Sequence, residues 1–87
     1  MNFKVLWRPS ALNALADIWT NASDKNAVTR ASNTLDRRLA TNPLDLGESR
    51  DGNERIGFEP PLQILFRVDV AERTAHVTAV GVFGSPP

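Results

Sequence analysis

Residues 62 to 70 read Leu62-Gln63-Ile64-Leu65-Phe66-Arg67-Val68-Asp69-Val70, and this run decides the fold. Large apolar residues occupy every even position, which is the pattern of a strand that buries one face. The run Glu54–Glu59 precedes it across a Pro60-Pro61 break, and a run ending Val80-Gly81-Val82-Phe83 follows a short turn at residues 71–73. Three consecutive strands with short connections predict an antiparallel-type sheet.

Side-chain alternation also assigns a face to each residue of the flanking strands. In the first run it predicts that Ile56 and Phe58 face the core and that Arg55, Gly57 and Glu59 face outward. In the last run it places Ala75, Val77 and Ala79 inward and Thr74, His76 and Thr78 outward. Val80 and Val82 break this second pattern, which indicates a bulge or burial on both faces.

The N-terminal half predicts one strand and two helices. Residues 2–8 alternate as a half-buried strand, with one imperfection at Leu6, and Pro9 suits the first position of a helix. The apolar stripe of the first helix comprises Leu12, Leu15, Ile18, Trp19 and Ala22, which predicts a core position for Trp19. Trp7 is also expected in the core, because it shares a strand face with Phe3 and Val5. Ser23 is the expected N-cap of a second helix that runs to about Ala40, before Asn42-Pro43 stops it.

The predicted fold class is therefore α+β, with the order β-α-α-β-β-β. A helical hairpin packs on one face of a largely antiparallel four-stranded sheet, and the other face is open. Residues 1–83 form a single domain, residues 43–53 form a loop, and residues 84–87 form a disordered tail.

Composition excludes several classes of function. The chain has 87 residues, no cysteine, and ten acidic against ten basic residues, for a formal net charge of zero. Disulfides, thiol catalysis and zinc-thiolate sites are excluded, and neutrality weighs against an autonomous nucleic-acid binder. No apolar run reaches the ~18 residues of a membrane span. We expect a cytoplasmic protein that needs no cofactor or metal.

The open face of the sheet is the predicted functional surface. Strand alternation collects on it Lys4, Arg8, Arg55, Gln63, Arg67 and His76. Arginines and a histidine on a concave face would bind phosphate and polarise a scissile group. The alternative is a polar face that is simply solvated, as is usual for one-sided sheets.

Four segments make the chain resemble the RelE/ParE toxin superfamily: Val5–Leu12, Ala40–Pro43, Leu62–Asp69 and Val80–Phe83. The resemblance implies the toxin of a type II toxin–antitoxin pair, bound by a cognate antitoxin. RelE-type members cleave mRNA on the ribosome with basic residues and often a C-terminal tyrosine, whereas ParE-type members inhibit DNA gyrase by binding. The resemblance thus offers ribosome-bound mRNA or gyrase as targets.

Carried over position by position, the resemblance implies Arg50 and Arg55 as catalytic basic residues, and Arg67 as a substitute for a strand arginine. That arginine is replaced by Gln63, and a position that is often lysine holds Gly57. Val82 or Phe83 replaces the basic residue after the closing glycine, and the chain has no tyrosine. His76 is a further, weaker catalytic candidate, and Lys4, Arg8 and Gln63 are candidates for target binding. Three interpretations remain open: a nuclease, a gyrase inhibitor and a non-catalytic antitoxin-binding module.

Overall fold

A computed structural model describes residues 2–49 and 53–83. The predicted site residue Arg50 and the predicted tail, residues 84–87, lie outside these ranges. The elements in chain order are β1 (Lys4–Trp7), α1 (Pro9–Asn21), α2 (Lys25–Thr41), a 3₁₀ turn (Pro43–Asp45), β2 (Glu48–Ser49), β3 (Glu54–Glu59), β4 (Leu62–Asp69) and β5 (Thr74–Val82). Within these ranges, no helix is long and apolar enough to cross a membrane.

The five strands form one sheet in the order β1-β5-β4-β3-β2, and both helices pack on the same face of it. Strand β1 runs parallel to β5, and the other neighbours are antiparallel. The predicted α+β class and element order are confirmed. The sheet has one strand more than predicted, because the expected loop contains the 3₁₀ turn and the short strand β2.

The core lies between the helical hairpin and the inner face of β4. Leu62, Ile64 and Phe66 are almost completely buried, and they meet Leu35 and Leu39 of α2. The apolar residues at even positions of β4 therefore predicted its buried face correctly. Burial of side chains of this size stabilises a domain by about 1.5–3 kcal/mol each.

The second helix begins one residue later than expected. Asp24 is its N-cap, and its Oδ1 accepts a hydrogen bond from the Ala27 N–H at 3.0 Å. The prediction of Ser23 was wrong, because the aspartate is one position nearer the unpaired N–H groups of the first turn. At the other end the helix stops at Thr41, as the Asn42-Pro43 pair predicts.

Strand β3 has the opposite orientation to the predicted one. Gly57 pairs with Ile64 and faces the core, whereas Ile56 and Phe58 face the open side. The physical reason is Leu46, which is buried and occupies the core next to Gly57. Because side chains alternate with a period of two, filling that space from the loop reverses every assignment on the strand.

Strand β5 contains the predicted bulge. Phe66 pairs with Val77 and Leu65 with Ala79, so Thr78 is the extra residue. Beyond it the alternation is shifted, and Val80 packs against the core while Ala79 faces the open side. The inward assignment of Ala79 was therefore wrong, because the bulge moves each later residue to the other face.

The first helix buries less of its apolar stripe than expected. Ala11 is fully buried and Leu15 and Ile18 pack against the core, but Leu12 is 50% exposed and Trp19 is 44% exposed. The predicted core position is wrong for Trp19 and right for Trp7, which packs on the core. The apolar surface of α1 is wider than the part of it that contacts the sheet, and α2 covers only one side of the remainder.

Candidate binding face of the sheet

The open face of the sheet, on the side away from the helices, carries a basic cluster at one end. We call Lys4, Arg8, Arg67 and His76 the basic end. Directly paired residues share a face of a sheet, and His76 pairs with Arg67 on one side and with Leu6 on the other. Arg8 follows β1 at the same end, where its backbone N–H donates to the Val77 carbonyl oxygen.

Two shallow hollows meet at the basic end. One has a volume of about 340 Å³ and includes Leu6, Arg8, Arg67 and His76 in its lining. The other has a volume of about 390 Å³ and shares Arg67 and His76 with the first. The first hollow has two cations and an imidazole and no carboxylate in its lining, which suits it to an anionic group such as a phosphate, whereas the second also contains Asp69.

The cations of the basic end form no salt bridge with neighbours in the described parts of the chain. Within residues 2–49 and 53–83 the ion pair present joins Arg38 and Glu59 at 3.5 Å, at the edge of the core side. Glu54 pairs with Arg67 across the strands, yet the two side chains form no salt bridge there. Asp69 also lines the hollow beside Arg67 and His76, so the two acidic residues offset part of the positive charge at this end.

The opposite end of the open face is apolar. We call Ile56, Phe58, Gln63, Leu65, Ala79, Gly81 and Phe83 the apolar end. The Phe58 and Phe83 rings pack with centroids 4.8 Å apart. A hollow of about 230 Å³ beside them is lined partly by Gln63 and Gly81. The Gln63 amide offers hydrogen bonds but no charge, so this end is suited to an apolar side chain or a base rather than a phosphate.

Arg55 does not lie on the open face. It pairs with the core residue Phe66, and its guanidinium holds the segment before β2. Its Nη2 donates to the carbonyl oxygens of Leu44 at 2.9 Å and Gly47 at 3.4 Å, and its Nη1 donates to Ser49 Oγ at 3.1 Å. The predicted open-face position was wrong because the orientation of β3 is reversed.

The predicted site residues therefore separate into groups. Lys4, Arg8, Arg67 and His76 share one end, while Gln63 lies four residues from Arg67 along β4, a distance of about 13 Å in an extended strand. Arg55 donates hydrogen bonds to the segment from Leu44 to Ser49, and Arg50 lies outside the described residues. The described residues contain no cluster of three or more histidine and acidic side chains that would hold a metal ion.

Sequence reasoning missed the apolar residues of this face. Leu6, Ile56 and Phe58 are each partly or largely exposed on it, and Phe83 covers Phe58. The imperfection at Leu6 in the strand pattern was a signal for an apolar open face. For Ile56 and Phe58 the alternation predicted the core face, because nothing in the strand itself shows that Leu46 fills the core beside Gly57.

The chain matches no sequence-family model, and no curated protein matches it by sequence. Solved structures do match the chain in fold. A chain of the toxin–antitoxin complex RelBE2 from Mycobacterium tuberculosis superposes with a TM-score of 0.79 at 15% identity, covering 98% of this chain and 95% of that one. A chain of the archaeal RelE–RelB complex from Pyrococcus horikoshii gives a TM-score of 0.71 at 12% identity, covering 99% and 100%.

A chain of the chromosomal ParDE toxin–antitoxin system from P. aeruginosa gives a TM-score of 0.69 at 13% identity, covering 92% of this chain and 95% of that one. Each match extends over nearly the whole of both chains, so the helical hairpin, the sheet and the connections agree together. At sequence identities of 12–15%, what the structures share is the path of the backbone, that is, the fold. The chain therefore has the RelE/ParE fold found in toxin–antitoxin systems.

Proposed function

We propose that this protein is the toxin of a type II toxin–antitoxin pair, that it acts in the cytoplasm, and that a cognate antitoxin neutralises it. The observation that carries the proposal is the superposition of nearly the whole chain on structures from three toxin–antitoxin systems. The open sheet face supports it, because cations without a salt bridge at one end and exposed aromatic rings at the other are features of a surface that meets a macromolecule.

We propose further that the toxin acts by binding a target such as DNA gyrase or the ribosome, rather than by cutting RNA. Gln63 supplies no charge at the strand position that a nuclease of this fold would use, and Arg55 is engaged with carbonyl oxygens of the loop. The sequence contains no tyrosine. Losing one preorganised donor to the charge that develops in a transition state typically costs about 10²–10³ in rate.

The alternative is a ribosome-dependent mRNA endoribonuclease, and one observation favours it. Arg8, Arg67 and His76 border connected hollows, which is the arrangement that a phosphodiester would require. A non-catalytic antitoxin-binding module is a third candidate. The zero net charge of the chain favours the binding module over the nuclease, because binding to a nucleic-acid backbone depends on an excess of cations.

The test is growth of bacteria after tightly induced expression of this chain alone, and again with the open reading frame that neighbours its gene. We expect growth arrest with the chain alone and rescue by the neighbour. Primer-extension mapping of mRNA and a gyrase supercoiling assay then separate the targets. Normal growth with soluble, folded protein would overturn the toxin proposal and favour the binding module.

Variants locate the active surface. Arg67→Ala removes a charge from the basic end, and Arg30→Ala is the matched control because it removes the same charge from the exposed side of α2. If the basic end meets the target, Arg67→Ala loses toxicity and Arg30→Ala retains it. Equal toxicity of both variants would exclude the basic end from the mechanism.

A further inference from the structure

The outer face of the helical hairpin carries an apolar groove that the fold does not use. Leu12, Ala16 and Trp19 form a line along α1 at spacings of four and three residues, facing Thr29 and Ser32 of α2. The groove has a volume of about 370 Å³. Its two large side chains keep half or nearly half of their surface exposed, although they belong to a helix that packs on the core.

Trp19 is held in place before any partner arrives. Its indole Nε1–H donates to Thr29 Oγ1 at 3.2 Å, and Lys25 Nζ lies 5.3 Å from the ring centroid. An aromatic side chain that is already ordered loses little conformational entropy on binding, and tryptophan is the residue type most enriched among interface hot spots. The small residue Ala16 beside it leaves room for a second helix to approach.

The charges around the groove are arranged in a self-complementary way. Lys25 lies at the Trp19 end, where its Nζ donates to the Thr20 and Ala22 carbonyl oxygens at 3.1 and 3.2 Å and keeps a third N–H for a partner. Asp36 lies on α2 toward the Leu12 end, where its Oδ1 accepts from Trp7 Nε1 at 2.7 Å. The first helix has one charged residue, Asp17, and that side chain lines a different groove. A two-fold axis near Ala16 would therefore bring unlike charges together at both ends of an apolar centre.

We propose that this face is a symmetric interface between two copies of the chain. Leu12 of each copy packs against Trp19 of the other, and Lys25 of each copy pairs with Asp36 of the other. The zero net charge of the chain favours this occupant, because two copies approach without overall repulsion. The interface is independent of the open sheet face and of the toxin proposal.

The size of the face sets the strength of the dimer. The first helix has 13 residues, so it is about 20 Å long, and two adjacent helices make a face of similar width. That gives roughly 400 Å² per copy, about half of what a standard stable complex buries. We therefore expect a weak, transient dimer rather than an obligate one.

The experiment is sedimentation equilibrium of the purified chain over a concentration series. We expect the mass to rise from monomer to dimer, and Trp19→Ala to raise the dissociation constant at least about tenfold. Val70→Ala is the matched control, because it shortens an exposed apolar side chain at the β4–β5 turn, far from the hairpin groove. A monomer at every concentration, or equal effects of the two variants, would overturn the proposal.

A charge exchange tests the geometry directly. Lys25→Glu and Asp36→Lys each place like charges at both ends of the homodimer, so each variant alone should dimerise more weakly. An equimolar mixture restores unlike pairs at both ends of the heterodimer, and we expect it to associate as the original chain does. Asp36→Asn removes the charge but keeps an oxygen for Trp7, which separates loss of pairing from loss of that hydrogen bond. Failure of the mixture to associate would refute the two-fold arrangement.

Discussion

Replacing Arg55 by alanine tests whether this residue supports the structure or the chemistry. Its guanidinium joins β3 to the segment that carries the 3₁₀ turn and β2 through two carbonyl oxygens and one hydroxyl. A catalytic arginine would be dispensable for stability, whereas the contacts of Arg55 indicate that the loop depends on it. Arg55→Ala should therefore lower the free energy of unfolding.

The magnitude follows from the three contacts. Hydrogen bonds to charged groups contribute about 1.5–3 kcal/mol when well shielded. Leu44, Gly47 and Ser49 are exposed, so water replaces part of each lost contact. We expect a total loss of about 2 kcal/mol, in the upper half of the usual range for single substitutions. For a domain of this size, that corresponds to a fall of about 10 °C in the melting temperature.

Urea unfolding followed by circular dichroism measures the effect. With a denaturant slope of about 1 kcal/mol/M, the midpoint should fall by about 2 M. Arg67→Ala is the control, because Arg67 forms no side-chain hydrogen bond or ion pair with another described residue, and its midpoint should shift by about 0.5 M or less. An unchanged midpoint for Arg55→Ala, combined with lost toxicity, would refute the structural role and restore the catalytic one.

Three other substitutions test the packing by the same unfolding assay. A Cβ on Gly57 would lie 3.0 Å from Leu46 Cγ and 3.2 Å from Phe66 Cε1, so Gly57→Ala should lower the free energy of unfolding by about 1 kcal/mol. A Cβ on Gly81 meets only ordinary contacts, so Gly81→Ala should be neutral or slightly stabilising. Equal effects of the two substitutions would contradict the reversed orientation of β3. Gly47 has a φ of +72° and a Cβ there would overlap the Ile56 carbonyl oxygen, so Gly47→Ala should destabilise by more than about 3 kcal/mol, and a mild effect would argue against the described turn. Leu35 is fully buried, so Leu35→Ala should cost about 2–5 kcal/mol, and a loss below about 1 kcal/mol would place it outside the core.

The position of Gly57 also bears on whether a basic residue could act at this point of β3. The family resemblance suggests lysine as the usual residue there, but the structure places Gly57 against Phe66 in the core. A lysine at this site would bury its charge, which is strongly unfavourable without a partner. Gly57→Lys is therefore expected to destabilise the fold rather than to add a charge to the open face.

Part of the candidate site could be predicted from the sequence. Alternation on β4 and on β5 before the bulge correctly brought Arg67 and His76 to one face, because each strand has an unbroken row of apolar residues on its core side. The same reasoning failed for Arg55. Strand β3 has Ile56 and Phe58 on one side, so its alternation predicted the orientation that the burial of Leu46 reverses.

The sequence by itself determined the order and type of the main elements and the buried face of β4. Those features depend on local periodicity and on breakers such as Pro9 and Asn42-Pro43, which act wherever the rest of the chain lies. Only the tertiary structure decided which way β3 faces, that β1 joins β5 in parallel, and that Trp19 remains exposed. Each of these depends on what occupies the neighbouring space, and the decisive neighbour of β3, Leu46, comes from a segment whose local sequence indicates only a loop.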